Sequence, residues 1–324
     1  MIVAGIDEAG FGPVLGPMLV AATAFSMPAE LADQSMWQLL SAAVSRRPAK
    51  RAARIAIADS KKLYNRQKPD ALKHLERGVL AMLAARDCRA TDLRQLLAAV
   101  CPSALGQLER YPWYGQGPRA MALPRAVSPT SIELCANNLA ERMRQSGVGG
   151  PLTMRAEVVF EGEFNRLVQA TDNKSVVLLD VVSRLLMHLW KLSAGQDMRI
   201  VVDRQGGRRH YLEHLQRLFA GCAFKVLDES ESLSAYSISD GRRKVEVFFL
   251  VEAEDQHLPV ALASMLCKYL RELFMELFNG YWGRYVPQIE PTAGYYVDGQ
   301  RFWRQIAPHV GQMGLSESMI YRSR

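Results

Sequence analysis

The chain has few of the residues that mark the simpler functional classes. Cysteine is sparse and odd in number: Cys88, Cys101, Cys135, Cys222 and Cys267 are scattered, and none forms a C-x-x-C pair. That spacing argues against a disulfide framework and against a zinc site, and it predicts reduced thiols in a cytoplasmic protein. Long apolar runs are missing too. The longest early one, "MLVAATAF" (residues 18–25), falls far short of a bilayer span. No basic stretch leads into an apolar one at the start, so neither a signal peptide nor membrane attachment is expected. The six histidines are dispersed, and His188, inside an apolar helical run, reads as a core residue. No Ser-His-Asp or Cys-His pattern is local, no segment repeats, and none is of low complexity.

The 324 residues permit one large domain, or one domain with an added subdomain. A composition 49% apolar and 23% charged is that of an ordinary globular protein, and the net charge of +7 leans toward a polyanionic partner.

Strands are predicted over residues 2–6 and 18–26, an antiparallel start around a Gly/Pro turn. Residues 30–47 read as a helix running into the basic stretch "RRPAKRAAR". A second helix follows Pro69, with Leu72, Leu75, Val79, Leu80 and Leu83 as its apolar stripe. Residues 87–150 differ, with prolines at 102, 112, 118, 124 and 129 and a single clear helix, "SIELCANNLAERMRQSG". They read as an inserted subdomain, because a structureless loop of that length is unusual in a compact domain. Strands and helices then alternate through "RAEVVFEG", "NKSVVLLDVVSRLLMHLWKL", "MRIVVD", "HYLEHLQRLF" and "AFKVL". Two strands about an Asp240-Gly241 turn follow, then the long apolar helix "LPVALASMLCKYLRELFMELFN". Helices alternating with strands after an antiparallel beginning predict an α/β fold with a mixed sheet.

One pattern recurs: an apolar strand, then an acid. It occurs at "VAGI" before Asp7 and Glu8, at "RIVV" before Asp203, and at "VFFLV" before Glu252, Glu254 and Asp255. Ligands gather at strand ends in α/β sheets, so acids distant in sequence can converge there. Gathered carboxylates repel one another, and a hard divalent cation such as Mg²⁺ or Mn²⁺ relieves them. Two such ions activate water and stabilise the leaving oxygen of a phosphodiester. An acid after a strand also serves as a helix cap or turn residue. Adjacent residues on a regular strand face opposite ways, so Asp7 and Glu8 share a cleft only if the strand ends or twists there. Gly10 and Gly12 allow such a bend.

Five segments, in order, resemble the type 2 ribonucleases H: "GIDEAGFGPVLGPMLVAA" (5–22), "DSKKL" (59–63), "VVD" (201–203), "ALASMLCKYLRE" (261–272) and "GYYVDG" (294–299). The resemblance covers roughly 1–85 and 152–300, omits 87–150 and fades after about 305. It implies a ribonuclease H-like catalytic domain over 1–86 and 151–305, an inserted subdomain over 87–150 and a tail over 306–324. It implies an endonuclease that uses Mg²⁺ or Mn²⁺ to hydrolyse the RNA strand of RNA/DNA hybrids, leaving 3′-hydroxyl and 5′-phosphate ends. Such an enzyme acts as a monomer on nucleic acid, without an organic cofactor. Asp7, Glu8 and Asp203 match three metal ligands. Glu254 matches the fourth, where the family usually has Asp, and Asp255 competes if the register slips by one. Ser60, Lys61, Lys62, Lys268 and Arg271 match residues that approach the nucleic-acid backbone.

The chain departs from the family at Phe11, where the usual Gly-Arg-Gly becomes Gly10-Phe11-Gly12. In those enzymes this loop reads the 2′-hydroxyl at an RNA–DNA junction, together with the tyrosine that Tyr295 matches. Phenylalanine cannot make arginine's charge-assisted hydrogen bond, though it can stack on a sugar or base or pack down. "RYPWYGQGPR" (110–119) interleaves aromatic and basic residues, as single-strand stacking surfaces do, and equally suits a loop packed on its own domain. "RRPAKRAAR" and "GRRK" are candidate phosphate patches or plain solvated surface. Two other readings stay open: a non-catalytic nucleic-acid-binding protein derived from such a nuclease, and a nuclease with shifted DNA or structure specificity.

Overall fold

The computed structural model describes residues 1–48, 53–115 and 117–323. Among these the strands are β1 (Ile2–Ala9), β2 (Met18–Ser26), β3 (Val44–Ser45), β4 (Ile55–Ala56), β5 (Pro151–Val159), β6 (Met198–Asp203), β7 (Ala223–Glu229), β8 (Leu233–Ser239) and β9 (Lys244–Leu250). The helices are α1 (Met36–Leu39), α2 (Ser60–Leu63), α3 (Lys73–Ala84), α4 (Leu93–Val100), α5 (Pro102–Leu105), α6 (Pro112–Gly115) and α7 (Gly117–Ala120). They continue with α8 (Pro129–Ser146), α9 (Glu161–Thr171), α10 (Lys174–Leu192), α11 (Leu212–Leu218), α12 (Leu258–Tyr285) and α13 (Tyr296–Gln312). No helix among the described residues is long and apolar enough to cross a membrane.

Seven strands form one sheet in the order β5-β2-β1-β6-β9-β8-β7. β1 pairs antiparallel with β2 and parallel with β6, and β6 pairs parallel with β9. The sheet is mixed and the fold α/β, as the sequence predicts. Its two faces bury separate apolar layers. Val3 faces the layer that contains α12, whereas Ile2, Ala4 and Ile6 face the layer that contains α10. This is the twofold alternation of a central strand covered on both sides.

α12 lies directly against β1. A Cβ added at Gly5 would fall 2.2 Å from the Val260 nitrogen, and the Thr23 hydroxyl donates to the Pro259 carbonyl at 2.7 Å. The segment over 87–150 supplies α4 to α8, whose Leu93, Leu96, Leu97, Trp113 and Leu139 enter the α12 layer. A buried carboxylate ties that segment down. Glu76 of α3 accepts from the backbone N–H groups of Arg125, Ala126 and Val127 and from the Tyr269 hydroxyl of α12. Residues beyond 305 are packed as well, with Ile306, Val310 and Ile320 buried.

Several elements differ from expectation, among them α4 to α7, since the sequence marked only α8 clearly within 87–150. The helix predicted over 30–47 is cut to α1, because Val44 and Ser45 pair in parallel with Ile55 and Ala56, a tertiary pairing that overrides helical propensity. The sequence did not reveal α9, which opens on Phe160 as its N-cap. It also did not reveal α13, whose Gly299 and Pro308 interrupt the usual helical signals. Of the basic stretch "RRPAKRAAR", residues 49–52 lie outside the described residues.

Because no side chain fits between β1 and the first turn of α12, Gly5→Ala is expected to cost about 1–3 kcal/mol of stability. Urea denaturation measures it, and a variant as stable as wild type would contradict this packing.

Candidate active site

Asp7 and Glu8 sit on β1 past the point where it loses its parallel neighbour. The β1–β6 ladder ends at Ile6 and Val202, whereas β1 continues against β2, with Asp7 opposite Ala21 and Glu8 opposite Val20. By alternation Asp7 belongs to the α12 face and Glu8 to the α10 face. Beyond the last β6 pair no strand separates the faces, and Asp203 closes β6 at that end. One carboxylate oxygen from each of Asp7, Glu8 and Asp203 lies within 4.8 Å of the others. The two adjacent acids therefore meet around the end of the neighbouring strand, and no break in β1 is needed.

Glu254 reaches the cluster from the turn after β9. Glu252 takes a left-handed conformation (φ 53°) and the chain tightens into a 3-10 turn over Ala253–Asp255. That turn is pinned to the site by the Ala253 N–H, which donates to the Asp203 carboxylate at 3.1 Å. Glu254 lines the same cleft as Asp7, Glu8 and Asp203. Asp255 points elsewhere and forms an exposed ion pair with Lys62 at 2.5 Å. Of the two registers left open by the sequence, Glu254 is the acid in the cleft.

All four carboxyls are harder to ionise than usual. Burial is the leading cause for each. Asp7 is pushed well up by burial and then by the charges of Glu8 and Asp203. Glu8 is raised by burial and by Glu254, against the opposing effect of Lys61. Asp203 is raised by burial, partly offset by the Ala253 N–H. Glu254 is raised to about 7 by burial and by Asp203. Burial disfavours the Lys61 ammonium, but Asp59, Glu254, Asp7 and Glu8 outweigh it and hold its pKa above the ordinary value.

This donor set suits a hard divalent cation. It is made wholly of carboxylate oxygens, and one of them, Glu254 Oε2, is buried without a hydrogen-bond partner. The cleft holds about 250 Å³ and also exposes Gly10, Phe11, Gly12, Ser60, Lys61 and Tyr295.

The other expected site residues divide into two groups. Ser60, Lys61 and Lys268 border the cleft. Ser60 accepts from Ser264 at 3.0 Å, and Asp59 caps α2 by accepting from the Lys61 N–H. Lys268 is held by Glu272 at 2.5 Å and lies 4.4 Å from the Tyr64 ring centroid. Tyr295 caps α13 and is 55% exposed. Lys62, in contrast, is outside the cleft lining and engaged by Asp255. Arg271 borders the cleft yet is only 1% exposed, and its Nη2 donates to the carbonyls of Leu15 and Ala293. It stitches the Gly/Pro turn to the tyrosine segment, where the Gly294 carbonyl also accepts from the N–H groups of Val14 and Leu15.

Phe11 is half-buried against the α10 layer, with the Lys174 ammonium 5.1 Å from its ring centroid. Lys174 opens a helix that the sequence does predict, but nothing in the sequence aims it at this loop. Of the two readings left open for "RYPWYGQGPR", the aromatics follow the packed one. Tyr111, Trp113 and Tyr114 are buried and pack with Phe160, Phe274 and Phe278, because an aromatic cluster gains more from burial than from standing in water. "GRRK" is likewise part structural: Arg243 lies 3.9 Å over the Trp190 ring and donates to the Trp190 carbonyl.

No family model and no curated protein matches this chain. Among solved structures it is similar to the RNase HII of Archaeoglobus fulgidus, solved in complex with PCNA. The identity is 16%, with 100% of this chain and 95% of that one covered and a TM-score of 0.42. It is similar to Bst-RNase HIII in complex with Mn²⁺, at 15% identity, 99% and 66% coverage and a TM-score of 0.43. It is similar to ribonuclease H2 of Pyrococcus horikoshii OT3, at 13% identity, 99% and 92% coverage and a TM-score of 0.42.

An acid whose pKa rises on folding stabilises the fold only while protonated. For Glu254 that contribution is full below about pH 4.5 and is lost as pH climbs through about 7. In EDTA, Glu254→Gln is therefore expected to melt above wild type at pH 8 and level with it at pH 4.5. Equal melting temperatures at both pH values would contradict this electrostatic reading.

Proposed function

We propose that the chain is a divalent-metal-dependent endonuclease that hydrolyses the RNA strand of RNA/DNA hybrids, leaving 3′-hydroxyl and 5′-phosphate ends. One observation carries the reading: the oxygens of Asp7, Glu8 and Asp203 gathered within 4.8 Å at the sheet end, beside Glu254. These four acids would hold the metal. When bound, a divalent cation supplies neutralising charge and Lewis acidity for phosphodiester hydrolysis.

The remaining residues position the substrate. Lys61 and Lys268 offer positive charge at the rim, which fixes phosphates without reading sequence. Glu272 and the Tyr64 ring restrain Lys268, so its ammonium is set in place before a substrate arrives. Gly12 borders open space, with no atom within 4 Å of the place its Cβ would take, so a sugar–phosphate backbone can approach the loop closely. Phe11 brings a ring and no donor to the loop, leaving Tyr295 and the glycine backbone to sense the 2′-hydroxyl. A continuous hybrid, with many ribonucleotides in register, is then a better substrate than a single ribonucleotide in DNA.

The experiment is cleavage of three labelled duplexes with Mg²⁺ or Mn²⁺: a full RNA/DNA hybrid, DNA with one ribonucleotide, and all DNA. The expected result is strong cleavage of the hybrid, weaker cleavage of the second, none of the third, and complete loss in EDTA. Asp7→Asn is expected to lower turnover on the order of a hundredfold or more while hybrid binding persists. Metal-dependent cleavage of all-DNA duplex, or full activity in Asp7→Asn, would overturn the proposal.

A further inference from the structure

The segment after α13 returns to the candidate active site and brings Arg322 against the Gly/Pro turn. Asn165 of α9 staples it: its Nδ2 donates to the carbonyls of Ser318 and Tyr321, and its Oδ1 accepts from the Ser323 N–H. Ile320 is fully buried. Between these anchors Arg322 turns inward and is 1% exposed, although its residue type normally stays in water.

The partners of Arg322 are the carbonyls of the turn itself. Its Nη1 donates to Gly10 at 2.5 Å and to Gly16 at 3.4 Å, and its Nη2 donates to Phe11 at 3.2 Å. Its backbone N–H donates to Val14 at 2.8 Å, and its guanidinium carbon lies 3.8 Å over the Phe164 ring. Gly10 and Gly16 both take positive φ, +86° and +83°, so both ends of the turn are in conformations that few residues adopt. The turn also rests on Arg271. A Cβ at Gly10 would lie 2.7 Å from Arg271 Nε.

The placement is costly. Two guanidinium groups share one buried region, and both burial and the Arg271 charge push the Arg322 pKa down, to about 9. The Glu161 carboxylate is the nearby counter-charge. A neutral donor would satisfy one carbonyl at lower cost, whereas a planar guanidinium engages three carbonyls of a single loop in one fixed orientation. That geometry suits a clamp on backbone shape.

We propose that Arg322 is a positioning residue that fixes the Gly10–Phe11–Gly12 loop in the conformation that meets substrate. It acts through the loop backbone and contacts no reacting atom. The consequence for substrate rests on the nuclease reading; the consequence for loop order does not.

Two measurements on Arg322→Met and Arg322→Lys keep these apart. The first is amide hydrogen exchange at Val14 and Leu15, whose N–H groups bond to the Gly294 carbonyl. Arg322→Met is expected to speed that exchange about tenfold while β1 and β2 amides keep their protection, and Arg322→Lys to recover part of it. The second is steady-state cleavage of the RNA/DNA hybrid. Arg322→Met is expected to raise KM about tenfold with kcat changed by less than about threefold, and Arg322→Lys to fall between. Should Arg322→Met fail to fold, the Lys variant carries both tests. Unchanged exchange at Val14 and Leu15 in a folded variant overturns the inference, as does a fall in kcat with KM unmoved. Faster exchange without any hybrid cleavage by wild type upholds the clamp and rejects the nuclease reading.

Discussion

The whole site depends on one electrostatic conflict: four carboxylates brought together in a partly buried cleft. Asp7, Glu8 and Asp203 alone place oxygens within 4.8 Å of one another, and burial raises the cost of each charge. Left alone, such a cluster resolves itself by taking up protons. A divalent cation resolves it by supplying the missing charge, and the unpartnered Glu254 oxygen is the kind of acceptor that such an ion satisfies. The fold tolerates instability at this point, as functional sites commonly do.

The surrounding architecture holds the conflict in place. β1 runs between β2 and β6 and extends past its last pair with β6 by Asp7, Glu8 and Ala9. α12 presses on β1 through the gap that Gly5 leaves, bringing Ser264, Lys268 and Arg271 to the cleft from one helix. Two loops far apart in sequence are joined at Gly294, whose carbonyl accepts from Val14 and Leu15, and by Arg271, which bonds to both. The loop that carries Phe11 is thus gripped on three sides, by α12, by the tyrosine segment and by Arg322.

Much of this was legible in the sequence because strand-ending acids and apolar periodicity are local signals. Asp7, Glu8 and Asp203 each follow an apolar strand, and the α/β rule that ligands gather at strand ends brings them together. Two registers were open for the fourth acid, and the turn at Glu252 and the Lys62–Asp255 pair place Glu254 in the cleft, a choice that depends on backbone shape. Arg271 was expected to approach the nucleic-acid backbone, and its burial follows from two loops folding over it. Arg322 carried no signal at all, since its role arises only from contacts some 300 residues distant in sequence. The aromatics of 110–119 were ambiguous for a related reason: composition cannot tell a stacking surface from a packed cluster.

The most direct measurement is anomalous diffraction at the manganese edge from crystals soaked in millimolar Mn²⁺. A peak among the carboxylates of Asp7, Glu8, Asp203 and Glu254, lost in crystals of Asp7→Asn, is the result this account predicts. Ordered carboxylates with no peak between them would contradict it.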